Sequence, residues 1–212
     1  MLHSRQYGFT LVEMAIVLVI IGLILGAAFK GKDLIDGAKV KNMAAQVNKM
    51  QAAFNVYYEK YGAYPGDGCA ALVTTQTLCS GAKNGSLGLL ENNSAPLLLV
   101  NAGILSAADM QSVFGVPWVI TEGTAITNYT TAHNYMTPGT QTSAGVTTQQ
   151  DVDVRFVCAL DRAIDDGVPT TGNVRSSATN AATQAGAAAY TNDGGDCWAL
   201  AGNGSVGIRV LP

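Results

Sequence analysis

Charge is scarce in this chain. Only 13% of its 212 residues are Asp, Glu, Lys or Arg, about half the share found in ordinary soluble domains. With 12 basic and 15 acidic residues the formal net charge is -3, so no global field draws the chain to nucleic acid or to acidic surfaces. Histidine is nearly missing, with His3 and His133 alone. His133 stands in a Thr-rich stretch without a nucleophile-elbow motif. No Walker loop is present, and no GxGxxG follows a strand-like run. The expectation is a protein that is not an enzyme and needs no cofactor.

Cysteine is sparse too: Cys69, Cys79, Cys158 and Cys197, with no CxxC pair. That removes support for a zinc ribbon or a thioredoxin-type site. The Gly-, Ala-, Thr- and Asn-rich composition suits an exported protein with many turns, where an even cysteine count favours disulfides. Four cysteines allow three pairings. We expect Cys69–Cys79 and Cys158–Cys197, because the first closes a short local loop. Proline is absent before Pro65, so the first third of the chain lacks the strongest helix breaker.

What the N-terminus does have is a long apolar run. Residues 1–8 are polar, and FTLVEMAIVLVIIGLILGAAF follows at 9–29. About 20 apolar residues suffice to span a bilayer as a helix. A secretory signal would carry a shorter apolar region and a small-x-small cleavage site. Within the run stands one carboxylate, Glu13, with no Lys, Arg or His to pair with it. At membrane depth that costs a few kcal/mol. A cut between Gly8 and Phe9 would create an α-amino group four residues from Glu13. The Phe9 amine of a neighbouring subunit would then neutralise Glu13 in a low-dielectric bundle, and the pair would set the register of assembly.

The string Gly8-Phe9-Thr10-Leu11-Val12-Glu13, followed by an unbroken apolar helix, resembles the cleavage and N-methylation site of type IV prepilins and type II secretion pseudopilins. The resemblance covers residues 1 to about 30 tightly and the following helix loosely. It implies cleavage after Gly8, methylation of the Phe9 amine and docking through Glu13. It also implies the partners: a prepilin peptidase and methylase, other pilin subunits, the membrane and an inner-membrane assembly platform. The precursor would sit in the inner membrane and the product in an extracellular pilus or a periplasmic pseudopilus. Many members carry a proline about twenty residues into the mature helix; here only Gly22, Gly26 and Gly31 could loosen it. Lys30, Lys32, Lys39 and Lys41 follow the span while the preceding segment holds only Arg5. The positive-inside rule alone would give the opposite topology; we let the specific motif override it.

Downstream, Val40, Met43, Val47, Met50, Phe54, Tyr57 and Tyr61 recur at steps of 3 and 4, a helical stripe. We read it as the face that packs on the protein's own sheet, with Lys41, Asn48, Lys49, Asn55 and Glu59 opposite. Residues 9–61 would make one helix about 80 Å long. Tyr61-Gly62-Ala63-Tyr64-Pro65-Gly66-Asp67 ends it and resembles the helix exit of many pilins. The resulting organisation is a leader at 1–8, a membrane or filament-core helix at 9–29, an amphipathic helix at 30–61 and an α+β head at 62–212. The expected fold is α+β and pilin-like: a long N-terminal helix packed on an antiparallel sheet with disulfide-stapled loops.

Within the head, residues 68–93 read as a loop region. Leu97–Ile104 reads as a short helix with Ser94 as N-cap and Pro96 in the first turn. Pro117–Thr121 and Ala125–Thr131 read as a hairpin across Glu122-Gly123-Thr124. Val152, Val154, Phe156, Cys158 and Leu160 alternate as in a half-buried strand, and Val206–Leu211 reads as the last strand. Residues 134–149 and 170–189 read as loops. Trp118 and Trp198 are expected in the core. Asp161, Asp165 and Asp166, and separately Asn192, Asp193 and Asp196, offer oxygen ligands of the kind calcium takes. Turn chemistry is the alternative for both clusters.

Three functions compete. The first is a structural subunit of a type IV pilus-like filament. The second is a pseudopilin of a type II secretion system, which shares the same N-terminus. The third is a membrane-anchored binding domain with an uncleaved anchor, which would not depend on Glu13.

Overall fold

The computed structural model describes residues 8, 10–88, 90–122, 133–141, 147–177, 189–191 and 194–211. It divides into two compact units, Met1–Ala38 and Lys39–Pro212, and each is described by itself.

Helix α1 (Leu11–Tyr61) begins in the first unit. Its opening segment is apolar apart from Glu13, and nothing among the described residues of the unit covers it. Leu11 is 90% exposed, and Leu23 and Phe29 are each 70% exposed. Gly22, Gly26 and Gly31 lie inside α1 without interrupting it.

The second unit is built on the later part of the same helix. Val40, Met43, Val47, Met50, Ala53, Phe54 and Tyr57 are buried, while Lys41, Asn48, Lys49, Asn55 and Glu59 face solvent. Tyr61, the last residue of the expected stripe, is 37% exposed where the helix stops. Full burial of each large apolar side chain is worth about 1.5–3 kcal/mol, so this stripe holds the helix to the sheet. Gly62 ends the helix: its φ is +68°, and its N–H donates to the Tyr58 carbonyl at 2.7 Å. A left-handed residue at that point costs glycine alone nothing.

Among the described residues six antiparallel strands form the sheet: β1 (Trp118–Glu122), β2 (Asn134–Gln141), β3 (Thr147–Gln149), β4 (Val152–Asp153), β5 (Val174–Ser177) and β6 (Asn203–Arg209). The main path runs β1-β2-β6-β4, with β3 on β2 and β5 on β6. Trp118, Ile120, Met136, Val174, Val206 and Ile208 bring the sheet into one core with the α1 stripe. The Trp118 indole N–H donates to Gln46 Oε1 at 3.0 Å, and Gln46 Nε2 donates to the Gln111 carbonyl at 2.9 Å. Helix α2 (Glu91–Asn101) buries Ala95, Leu98 and Leu99 against this core, and α3 (Val154–Ile164) buries Val154, Val157, Cys158 and Leu160.

The long helix, the antiparallel sheet and both disulfides are as expected, an α+β, pilin-like layout. Cys69–Cys79 and Cys158–Cys197 are bonded, with Cα–Cα distances of 4.1 and 5.6 Å. Several local expectations fail. The alternating run from Val152 is a strand only at Val152–Asp153; from Val154 it is helical. Val157 breaks the alternation, and Val154, Val157, Cys158 and Asp161 instead share a helix face. Asp153 caps that helix by accepting the Arg155 N–H at 3.0 Å. The second disulfide therefore ties a helix, not a strand, to the 3-10 turn Cys197–Ala199.

Residues 134–149 and 170–189 are not all loop, since they hold β2, β3 and β5. β2 hides as a strand because Pro138 and Gly139 interrupt it. Pro138 sits where the β6 ladder, which reaches Met136, has ended and the β3 ladder takes over. Its carbonyl accepts from Gln150 N at 2.9 Å, and without an N–H it returns no bond, as suits the end of a ladder. Gly139 admits β3 closely: a Cβ there would lie 2.4 Å from the Thr148 carbonyl oxygen. The partner of β1 is β2; the expected partner at 125–131 lies outside the described residues.

Helix α2 starts a turn earlier than expected. Glu91 Oε2 accepts the Gly88 N–H at 2.7 Å, Pro96 is interior, and Ser94 instead bridges the preceding loop, accepting from Val73 N at 3.1 Å and donating to the Ala71 carbonyl at 3.0 Å. β6 begins three residues before the expected Val206. Trp118 is 1% exposed, but Trp198 is 40% exposed, edge-on to Phe156 at 5.6 Å.

The two disulfides close loops of different size, with sequence separations of 10 and 39. The chain-entropy relation gives about 3 kcal/mol for the shorter and about 4 kcal/mol for the longer. Denaturant melts of Cys69→Ala/Cys79→Ala and Cys158→Ala/Cys197→Ala variants in detergent should rank the second as the greater loss; the reverse order would show that loop entropy does not govern them.

Candidate processing and assembly site

At the start of α1 the backbone and side chains of Thr10 and Glu13 close on each other. The Thr10 N–H and hydroxyl both donate to Glu13 Oε2, at 2.8 and 2.9 Å. In return the Glu13 N–H donates to Thr10 Oγ1 at 3.2 Å. This is a reciprocal capping box, satisfying N–H groups that a helix start otherwise leaves unpaired. A carboxylate in the first turn also meets the positive end of the helix dipole. Thr10 escaped the sequence reading as a functional partner, although Thr-x-x-Glu before an apolar run is the recognised pattern.

Gly8 is exposed, and Phe9 lies outside the described residues. Beyond the cap, Leu11, Val12, Ala15, Ile16, Val19 and Ile20 line a shallow apolar furrow along α1. The segment Leu11–Phe29 therefore carries one carboxylate at its start and an uncovered apolar surface after it. Such a surface is stable only in lipid or against other apolar helices.

The head holds the other residues of interest. Asp161, Asp165 and Asp166 come together, with ligand oxygens within 4.8 Å of one another. Each is occupied by the protein. Asp161 is fully buried; its Oδ2 accepts the Tyr190 hydroxyl at 2.6 Å and its Oδ1 the Gly167 N–H at 3.2 Å. Asp165 Oδ2 accepts the N–H groups of Asn173 and Val174. Asp166 takes the Thr171 hydroxyl at 2.6 Å and the Val168 N–H at 2.9 Å. The trio thus shapes the turn between α3 and β5, as turn chemistry anticipates. Asp196 is not part of the group; it caps the Cys197–Ala199 turn by accepting Trp198 N at 3.0 Å. Asp193 lies outside the described residues. Tyr190 carried no sequence signal, because it meets Asp161 from 29 residues away.

Burial pushes the Asp161 carboxyl up to about 6, against the bonds from Tyr190 and Gly167, which lower it. The Thr171 hydroxyl and the Val168 N–H hold Asp166 below the usual carboxylate range.

Residues 3–29 match the prokaryotic N-terminal methylation motif. Over 81 residues the chain is 30% identical to a fimbrial protein of Neisseria meningitidis serogroup B, covering 38% of this chain and 48% of that protein. The chain thus spans about half the length of the curated relative it matches. No solved structure matches the chain. The motif and the fimbrial relative are consistent with the type IV pilin family and support a subunit of pilin or pseudopilin type.

The Asp161 shift has a defined sign. A carboxyl whose folded value of about 6 exceeds its ordinary 3.8 holds its proton more tightly when folded. Stability therefore falls as pH rises from about 4 to about 6, by an amount of the order of 2 kcal/mol. Asp161→Asn keeps an acceptor for Gly167 and removes the titration. Melting temperature against pH should lose that downward slope in the variant; an unchanged slope would assign it to other groups.

Proposed function

We propose that this chain is a prepilin cut between Gly8 and Phe9, and that the processed protein is a structural subunit of a type IV pilus-like filament rather than an enzyme. The observation that carries the reading is the methylation motif at residues 3–29 set on an apolar helix that no other described residue of its own unit covers. The partners are the prepilin peptidase and methylase, the inner-membrane assembly platform and further pilin subunits. The precursor waits in the inner membrane with Leu11–Phe29 in lipid. Assembly replaces lipid by the equivalent helices of neighbours.

Glu13 supplies the register of that exchange. In the single subunit both Thr10 bonds fall on its Oε2 atom. Cleavage hydrolyses the Gly8–Phe9 peptide bond and leaves an amine on Phe9. On a neighbour that amine, methylated and still cationic, pairs with Glu13 in a surrounding without water. A charged pair inside an apolar bundle favours one axial offset, since any other leaves a carboxylate unpaired at a cost of several kcal/mol. The capping box holds the Glu13 carboxylate in place at the helix start before it docks.

Mass spectrometry of sheared surface filaments and of the membrane fraction tests the reading. An abundant peptide starting at methylated Phe9 in the sheared material is expected. The same peptide confined to the membrane would instead indicate a secretion pseudopilin, and chain still starting at Met1 would overturn processing altogether. Glu13→Ala should be cleaved normally and yet lower filament yield at least tenfold. Thr10→Val, which removes only the hydroxyl, should weaken the helix start by about 1 kcal/mol and leave the filament assembled. Full assembly by Glu13→Ala would overturn the register role of Glu13, and an uncleaved chain that forms no filament would return the protein to an anchored binding domain.

A further inference from the structure

We propose that the head carries a binding site for a neutral saccharide unit, in the cleft between the end of α1, the loop closed by Cys69–Cys79 and the end of α2. This inference stands apart from the filament reading. The cleft measures about 260 Å³, just under the range of pockets for drug-sized ligands, which suits one sugar ring rather than a larger group. Tyr61, Leu98 and Ala102 form its apolar wall, and Thr74, Thr75, Thr77 and Asn101 bring hydroxyl and amide groups.

The chemistry of the lining selects the class of ligand. Among the described residues no Asp, Glu, Lys or Arg lines the cleft. Leu98, Asn101 and Ala102 belong to the last turn of α2 and its C-cap, where the helix dipole turns its negative end outward. That end repels phosphates and carboxylates. The Thr75 and Thr77 hydroxyls hydrogen-bond to each other at 3.1 Å, and the hydrogen-bonding positions this leaves on the pair suit neighbouring hydroxyls on a sugar ring. A flat apolar wall beside such a pair suits a molecule with one C–H face and a rim of hydroxyls.

The cleft is also held ready. Gln76, buried beneath the threonines, accepts the Tyr57 hydroxyl at 3.2 Å and donates to the Asp67 carbonyl at 3.1 Å. Asn101 Nδ2 donates to the Thr74 carbonyl at 3.0 Å, which joins the loop to α2. Tyr57, with ring centroids 4.4 Å apart, and the Lys60 ammonium, 5.1 Å from the ring centroid, fix the ring of Tyr61. A wall fixed before binding loses less entropy when the ligand arrives.

Saturation-transfer NMR on the full chain in dodecylphosphocholine micelles, a detergent without a sugar headgroup, tests the site. The probes are glucose, galactose, N-acetylglucosamine and lactose, with glucuronate and sialic acid as charged counterparts. Transfer to at least one neutral sugar is expected, with amide shifts confined to residues 74–77 and 98–102. The double variant Thr75→Val/Thr77→Val, at two exposed positions, should weaken that binding at least tenfold; Thr170→Val, at an exposed position outside the cleft lining, should not change it. No transfer to any neutral sugar at millimolar concentration, tighter binding of the charged sugars, or full binding by the double variant would each overturn the proposal.

Discussion

One helix has to satisfy two different surroundings. Over Leu11–Phe29 α1 presents apolar side chains on every side apart from Glu13, a surface suited to lipid or to other apolar helices. From Val40 onward the same helix presents one apolar stripe and one polar face, and the stripe is the floor on which the head is built. The change of pattern happens without a break in the backbone and without a proline. An exposed apolar surface of this extent would aggregate in water. Glu13 is the single charge in that segment, and the capping box with Thr10 explains how a monomer tolerates it.

The head answers a different problem, that of ordering a Gly-, Thr- and Asn-rich chain with few large apolar residues. It does so by cross-links of several kinds. The two disulfides close one loop and pin α3 to a late turn. Buried polar side chains take the roles that apolar packing takes elsewhere. Asp67 accepts the N–H groups of Asn84 and Gly85, both at 3.0 Å, and Asn134 both accepts from Leu87 N at 2.9 Å and donates to its carbonyl at 2.7 Å. Each holds loop backbone that has no sheet to join, as buried polar groups must. Burial also pushes the Tyr57 phenol up to about 12, so it remains a donor to Gln76 at any physiological pH.

What could be read from sequence follows from how local each signal is. The apolar run, Glu13 and the 3.6-residue stripe are local, and α1 reads correctly through to Tyr61. Both disulfide pairings were legible for the same reason, the shorter one being a local loop. The sheet was harder. β2 contains Pro138 and Gly139, which signal a turn anywhere except at a place where one ladder ends and the next begins. The stretch from Val152 shows a two-residue period for several positions, and only Val157 and the capping Asp153 betray a helix. Asp161 looks like a ligand or a turn residue in sequence; its burial under Tyr190 exists only in three dimensions. The contrast between Trp118 and Trp198 is equally invisible along the chain, since one meets Gln46 from 72 residues away and the other packs against a helix that had read as a strand.

The placement of β6 has a consequence for the order of events in folding. β6 is the last of the strands in sequence, yet it pairs with β2, β4 and β5 and so occupies the middle of the sheet. β2 already has β1 and β3 beside it, but β4 and β5 have no strand neighbour among the described residues until residues 203–209 arrive. Long-range pairing of this kind is slow to form, so the sheet closes from its last strand inward and a chain cut short before residue 203 leaves both strands without a place.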